Sequence, residues 1–123
     1  MYQTYRSKVE FLLVYIREAH PDSILPVEAE GQSIFQQILQ TSTLEDRSHN
    51  AQVCLAALDL TMPAVVDLED NKVNSTYAGW PDRMVVVDVV GRIAYYGKPG
   101  PAGFRPNEVE QWLKQNVQLG AAN

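Results

Sequence analysis

The chemistry-bearing residues of this chain crowd into one short segment. Glu18 and His20 lie two positions apart, just after the apolar run Phe11–Ile16. On an extended backbone, residues two apart point to one side. A carboxylate there can orient an imidazole and keep it protonated, and an imidazole titrates near neutral pH, so the pair could deliver a proton to a substrate. In open α/β sheets ligands bind beyond the carboxyl ends of the strands, where this pair would stand. The same residue types also suit a solvated strand end, a loop histidine beside a surface carboxylate. Tyr15 reads as core, with a hydroxyl long enough to reach the pair.

Other candidates carry less. Cys54 is the one cysteine of the sequence. That excludes an intramolecular disulfide, a Cys-x-x-Cys pair and a cysteine-based zinc site within these residues. It lies in a helical stretch between Val53 and Leu55, away from basic neighbours and a helix N-terminus. It therefore reads as a small buried hydrophobe rather than a nucleophile. His49, on a polar part of the same stretch, reads as solvated. Two histidines in different elements give no metal-ligand spacing. Trp80, Pro81 and Phe104 could line a cleft for an aromatic ligand, although aromatics so placed often serve as packing. Gly97–Gly103 has no strand-to-helix context for a phosphate loop.

The elements that must position these residues follow from the apolar pattern. Tyr2 to Lys8 reads as a helix end. Phe11–Ile16 is an unbroken apolar run, as in a parallel strand covered on both faces. Glu18 to Gly31 reads as a loop, since Pro21 and Pro26 exclude a regular helix. Ile34, Phe35, Ile38 and Leu39 share one helical face, which predicts a helix over 33–39. Ser42-Thr43-Leu44-Glu45 matches a capping box; the helix behind it turns Leu44, Ala51, Leu55 and Leu58 to the core and ends near Leu60. Ala64–Leu68 is a short strand, and 71–77 a polar turn or short helix. Met84–Asp88 and Arg92–Tyr96 form a hairpin around Val90-Gly91. Asn107-Glu108-Val109-Glu110 opens a last helix that buries Val109, Trp112, Leu113 and Val117. The order is α/β and matches a thioredoxin-like plan after its first βα unit: three layers, α/β/α, around a mixed sheet. Pro81 stands where that plan has a cis-proline, and an X-Pro bond can adopt either isomer.

Length and composition bound the function. The 123 residues predict one domain, over 1–119, with a frayed tail over 120–123. The net charge of -5 gives no electrostatic footprint for nucleic acid or an anionic membrane. No apolar run approaches the ~18–20 residues that span a bilayer, and the N-terminus has no signal-peptide core. A cytoplasmic setting is the expectation.

Three segments together resemble the iodothyronine deiodinase family. Phe11-Leu12-Leu13-Val14-Tyr15-Ile16-Arg17-Glu18-Ala19-His20-Pro21 is similar to the family's FLIxYIEEAHxSDGW. Leu44-Glu45-Asp46-Arg47 is similar to its LxDR, and Gly91-Arg92-Ile93-Ala94-Tyr95-Tyr96-Gly97-Lys98-Pro99-Gly100-Pro101 to its GRIxYxGxxGP. Pro81-Asp82-Arg83-Met84 also looks like its PERL. The resemblance implies a partial thioredoxin-like fold whose first βα unit lies upstream of Met1, with the redox selenocysteine or cysteine on it. It implies thiol-dependent reductive dehalogenation of an iodinated phenol or iodothyronine-like substrate. His20 would be the acid and Glu18 its partner, with Tyr15, Trp80, Pro81 and Phe104 near the substrate. An external thiol is the implied reductant, and no cofactor is expected. The family's Ser-Asp-Gly-Trp becomes Asp22-Ser23-Ile24-Leu25, a departure at the substrate side. The alternatives are a generic thiol reductase or peroxidase, and a non-catalytic thioredoxin-like module that binds an aromatic ligand or a protein. Without the upstream strand, open edges on the 11–16 and 84–88 strands would favour a homodimer, unless the two strands pair directly.

Overall fold

The elements run α1 (Tyr2–Tyr5), β1 (Leu13–Tyr15), β2 (Ser23–Ala29), β3 (Gln32–Ile38), α2 (Leu44–Ala57), β4 (Ala64–Val66), α3 (Lys72–Tyr77), β5 (Val85–Val87), β6 (Ile93–Tyr96) and α4 (Pro106–Asn116). The computed structural model describes residues 1–120, the side chain of Ala29 excepted; the remainder of the expected frayed tail lies outside the described residues. The content is mixed α/β, as expected. Its strands form three two-stranded sheets, β1 with β4, β2 with β3, and β5 with β6. Two compact units result: Leu12–Ala78, and Met1–Phe11 together with the chain from Gly79 onward. Among the described residues no helix is long and apolar enough to cross a membrane.

In the unit Leu12–Ala78, β1 and β4 pair in parallel, with Leu13 opposite Ala64 and Tyr15 opposite Val66. The ladder is extended by Leu13 N–H donating to the Pro63 carbonyl and Asp67 N–H to that of Tyr15. The strand is shorter than the apolar run, and Leu12 is exposed, so the run is not covered on both faces throughout.

The segment 23–38 corrects the sequence reading. It is an antiparallel hairpin, not a loop followed by a helix. Ile34, Gln36 and Ile38 alternate along one face of β3, while Phe35 points out and is 77 % exposed. A run with apolar residues at 34, 35 and 38 satisfies both periods, and β-branched and aromatic residues favour the strand. The turn decides it. Glu30 and Gly31 both take positive φ, 52° and 77°, as the two central residues of a type I′ turn must. Glu30 accepts that conformation at some cost, and Gly31 freely. Pro26 sits within β2, opposite Phe35; a proline excludes a helix but is tolerated on an edge strand.

Helix α2 begins one residue later than its capping box suggested. Thr43 is the N-cap, and its hydroxyl accepts from Asp46 N–H at 3.1 Å. Glu69 takes a further first-turn donor, Leu44 N–H, at 2.7 Å. The expected apolar stripe is only partly right. Ala51 is buried, but Leu44 and Leu58 are exposed, and the buried face carries Arg47, Asn50 and Val53 as well. Asp67, 2 % exposed, receives Val73 and Asn74 N–H on its two oxygens and so anchors the start of α3. Buried polar groups persist only when hydrogen-bonded, so this unit is organised by polar partners as much as by Ile38, Ala51 and Val53.

The other unit has an apolar core. Tyr5, Val109 and Leu113 are buried, with Val9, Phe11, Met84, Val86, Tyr95, Trp112 and Val117 packed around them. Val109 and Leu113 are four apart on α4, which matches the helical spacing read from the sequence. The second capping box is not used: Arg105 is the N-cap, Pro106 follows it, and Glu108 instead accepts from Tyr95 and Arg105. The β5–β6 hairpin forms as expected, with a register shift between Val86 and Val87. The Trp80–Pro81 bond is cis, and so is Gly100–Pro101.

Two substitutions test this unit by urea unfolding. Leu113→Ala, at a side chain 1 % exposed, should cost about 2–5 kcal/mol. Gly103→Ala would put a Cβ 2.5 Å from the Lys98 carbonyl carbon and the Pro99 oxygen. Both are backbone atoms that cannot swing aside, so a loss of about 1–3 kcal/mol is expected.

Candidate functional site

Glu18 follows β1 and is only 7 % exposed. A carboxylate so placed must collect donors, and this one does. Asn50 Nδ2 and the Tyr15 hydroxyl donate to Oε1 at 3.1 and 3.2 Å. Gln40 Nε2 and Thr41 N–H donate to Oε2 at 2.9 and 3.1 Å. The Thr41 hydroxyl lies 3.0 Å from both oxygens. Burial alone would raise the carboxyl's pKa, but the backbone N–H groups of Glu18 itself and of Thr41, with the Asn50 and Thr41 side chains, outweigh it and hold the group below the usual glutamate value. Glu18 is therefore a buried anion held by neutral donors.

The donors come from separate places in the unit. Tyr15 belongs to β1, Gln40 and Thr41 follow β3, and Asn50 lies on the buried face of α2. Asn50 Nδ2 also donates to the Leu39 carbonyl at 2.9 Å. Arg47, one turn earlier on α2 and 3 % exposed, donates from Nη1 to the Asp67 and Leu68 carbonyls at 3.0 and 2.8 Å. Its Nε faces the Thr41 hydroxyl at 3.5 Å, long enough to be a weak contact. The sequence reading missed Gln40, Thr41, Asn50 and Arg47. Neutral polar residues carry no signal of their own, but a polar stripe at 47 and 50 on a helix expected to be apolar there was the available clue.

Tyr15 and Cys54 complete the cluster. The Tyr15 hydroxyl donates to Glu18 and interacts electrostatically with the Cys54 thiol. Burial, then the thiol and the carboxylate, push its pKa far up, so the phenol stays protonated. Burial pushes the Cys54 thiol up too; the Tyr15 hydroxyl opposes this and the Glu18 charge adds to it. Cys54 is free, half-buried and kept as a thiol, in line with the reading that it is not a nucleophile.

His20 differs from the expectation in one respect. None of the Glu18 hydrogen bonds goes to its ring. The side-to-side pairing fails because the backbone turns there instead of staying extended. The His20 carbonyl accepts from Ser23 N–H at 3.3 Å and from the Ser23 hydroxyl at 2.6 Å. Pro21 stands second in that turn and Asp22 third, with φ of 72°, the pattern of a type II turn. The imidazole is exposed. His49, also exposed, pairs its Nε2 with Gln36 Nε2 at 3.1 Å.

Trp80, Pro81 and Phe104 belong to the other unit. Trp80 and Phe104 are 44 % and 47 % exposed. Arg83 stacks over the Tyr96 ring at 4.4 Å and donates to the Gly97 carbonyl. The Asp82 carbonyl accepts Gly100 N–H at 3.0 Å and so ties the Gly97–Gly103 turn to that segment.

Comparison with known proteins places this arrangement. The family model described as iodothyronine deiodinase matches residues 1–117. The chain is similar to a thyroxine 5-deiodinase of Sparus aurata, 38% identical over 112 residues, which are 90% of this chain and 39% of that protein. A thyroxine 5-deiodinase of Aquarana catesbeiana is 36% identical over 115 residues, 93% of this chain and 40% of its own length. The type II iodothyronine deiodinase of Homo sapiens is 33% identical over 116 residues, 93% of this chain and 42% of its own length. The chain thus spans about two fifths of the relatives it matches. The α/β elements fit the partial thioredoxin-like plan read from the sequence, and the match runs through nearly every described residue: the chain belongs to the iodothyronine deiodinase family.

Proposed function

We propose that the protein containing these residues performs thiol-dependent reductive dehalogenation of an iodinated phenol of iodothyronine type, with His20 as the proton donor. The observation that carries this reading is the placement of His20. It is an exposed imidazole beyond the carboxyl end of a parallel strand, with its backbone held by a tight turn. Family membership supplies the reaction class.

The step balances as follows. A selenolate or thiolate outside this sequence attacks iodine, and its electron pair forms the chalcogen–iodine bond. The carbon–iodine bond breaks, and its pair stays on carbon, where a proton from His20 completes the C–H bond. An external thiol then displaces iodide from the chalcogen. A second thiol equivalent reduces the resulting mixed chalcogenide and leaves a disulfide. An imidazole supplies the proton because its two protonation states are both accessible near neutral pH. Tyr15, held protonated, and Glu18, held ionised, stand beside that segment as fixed neighbours.

In the complete protein, His20→Ala should lower turnover of an iodinated phenol by about 10²–10⁴-fold, the usual worth of a general acid. Its unfolding midpoint should move little, because the imidazole is exposed. Turnover at the level of the unsubstituted protein would return His20 to being an ordinary loop residue and overturn its part as the proton donor. Cys54→Ala should leave turnover within about twofold, since a half-buried thiol with a raised pKa is a poor nucleophile. Loss of activity in that variant would make Cys54 part of the redox cycle.

A further inference from the structure

The ring of His20 has no contact with Glu18, yet Glu18 controls the chain on both sides of it. The 22–38 hairpin has a neck. On its leading side stand Glu18, His20 and Asp22, and on its trailing side Ile38, Leu39, Gln40 and Thr41. One backbone bond crosses the neck, from Asp22 N–H to the Ile38 carbonyl at 2.6 Å. Apart from one surface contact, the other side-chain bonds across it end on Glu18. Gln40 Nε2, Thr41 N–H and the Thr41 hydroxyl reach its carboxylate from the trailing side. Asn50 then ties the carboxylate and the Leu39 carbonyl to α2 together. The alternative support is small: Gln37 Nε2 to Asp22 Oδ1, at 3.2 Å on the surface.

We infer that Glu18 is a positioning residue, whose ionised carboxylate closes the neck of the 22–38 hairpin and thereby fixes His20. This rests on the reading of His20 as proton donor and gives Glu18 a different part from the ring partner expected of it. The donor pattern is the argument. Tyr15, Gln40, Thr41 and Asn50 all present hydrogens to the two oxygens. Only an anion offers enough lone pairs for them. A glutamine has one acceptor oxygen, and its NH₂ would face donors. The titratable groups that bear on the carboxylate are Tyr15 from β1 and Cys54 from α2, with Arg47 of α2 meeting the Thr41 hydroxyl and Arg17 and His20 flanking Glu18 in the chain. Tyr15 and Cys54 stay neutral. The segment leaving β3 offers Gln40 and Thr41, neither of which titrates. The latch is thus set by the ionisation of Glu18 itself. Its depressed pKa gives stability that is present above the ordinary glutamate range and lost as pH falls through the lower, folded value.

The test uses amide hydrogen exchange and the two histidine ring signals, read by NMR on residues 1–123 as they stand. In Glu18→Gln the Thr41 and Asp22 amides should exchange about 10–100-fold faster, the effect of losing one or two hydrogen bonds to a charge. Amides of α4 should keep their rates. The His20 ring signals should move to solvent-averaged values while those of His49, on α2, stay in place. A folded Glu18→Gln protein whose Thr41 and Asp22 rates and His20 signals match the parent would overturn the inference. So would a shift in the His20 titration with an unchanged neck, which would restore Glu18 as a ring partner. Should the variant not fold, the parent protein decides. Corrected for intrinsic exchange, the same two amides must speed up as Glu18 takes its proton; rates independent of pH would reject the latch. A silent His20→Ala in the turnover assay leaves these outcomes untouched, so the latch and the proton donor fail separately.

Discussion

A buried carboxylate must be answered by hydrogen-bond donors, and the unit around Glu18 is arranged to answer it. Leaving such a charge unpaired costs several kcal/mol. Here four side chains and one backbone N–H supply the answer, drawn from β1, from the segment after β3 and from α2. That requirement brings three distant stretches of chain to one point. It also explains why α2 turns Asn50 and Arg47 inward where an apolar face was expected. Arg47 obeys the same rule with the opposite sign, since its guanidinium is met by the Asp67 and Leu68 carbonyls.

The functional consequence is a division of labour between neighbours in sequence. Glu18 is buried and ionised, Tyr15 is protonated, and Cys54 remains a thiol. None of these is poised to exchange a proton near neutral pH. His20, two residues beyond Glu18, is exposed, while its carbonyl is held by Ser23. A rigid backbone carrying a free imidazole is what a proton donor needs: reach to a substrate without loss of position. The reaction proposed for the family member asks nothing more of these residues.

Much of this was legible in the residues, and the failures have physical causes. Val109 and Leu113 share a helix face, and the Val85–Val87 and Ile93–Tyr96 strands flank a turn, so one period or one turn identified each. Glu18, His20 and Tyr15 could be found because charged and aromatic groups at a strand end are conspicuous. The hairpin was missed because Ile34, Phe35 and Ile38 fit a helix face as well as an alternating strand. The distinguishing mark, two adjacent positive φ angles at Glu30 and Gly31, belongs to the backbone. The partners of Glu18 were missed for another reason. Gln40, Thr41 and Asn50 lie 22 to 32 positions away, and only the folded path shows that they converge.

The ionisation state of Glu18 is the point on which the account turns. A titration of its side-chain carboxyl carbon, followed by ¹³C NMR from acid to neutral pH together with the Thr41 amide signal, reads it directly. The account predicts an inflection below the ordinary glutamate range of about 4.3, with the Thr41 amide moving through the same midpoint. A carboxyl that titrates at or above that range, or a Thr41 amide indifferent to it, would contradict the account.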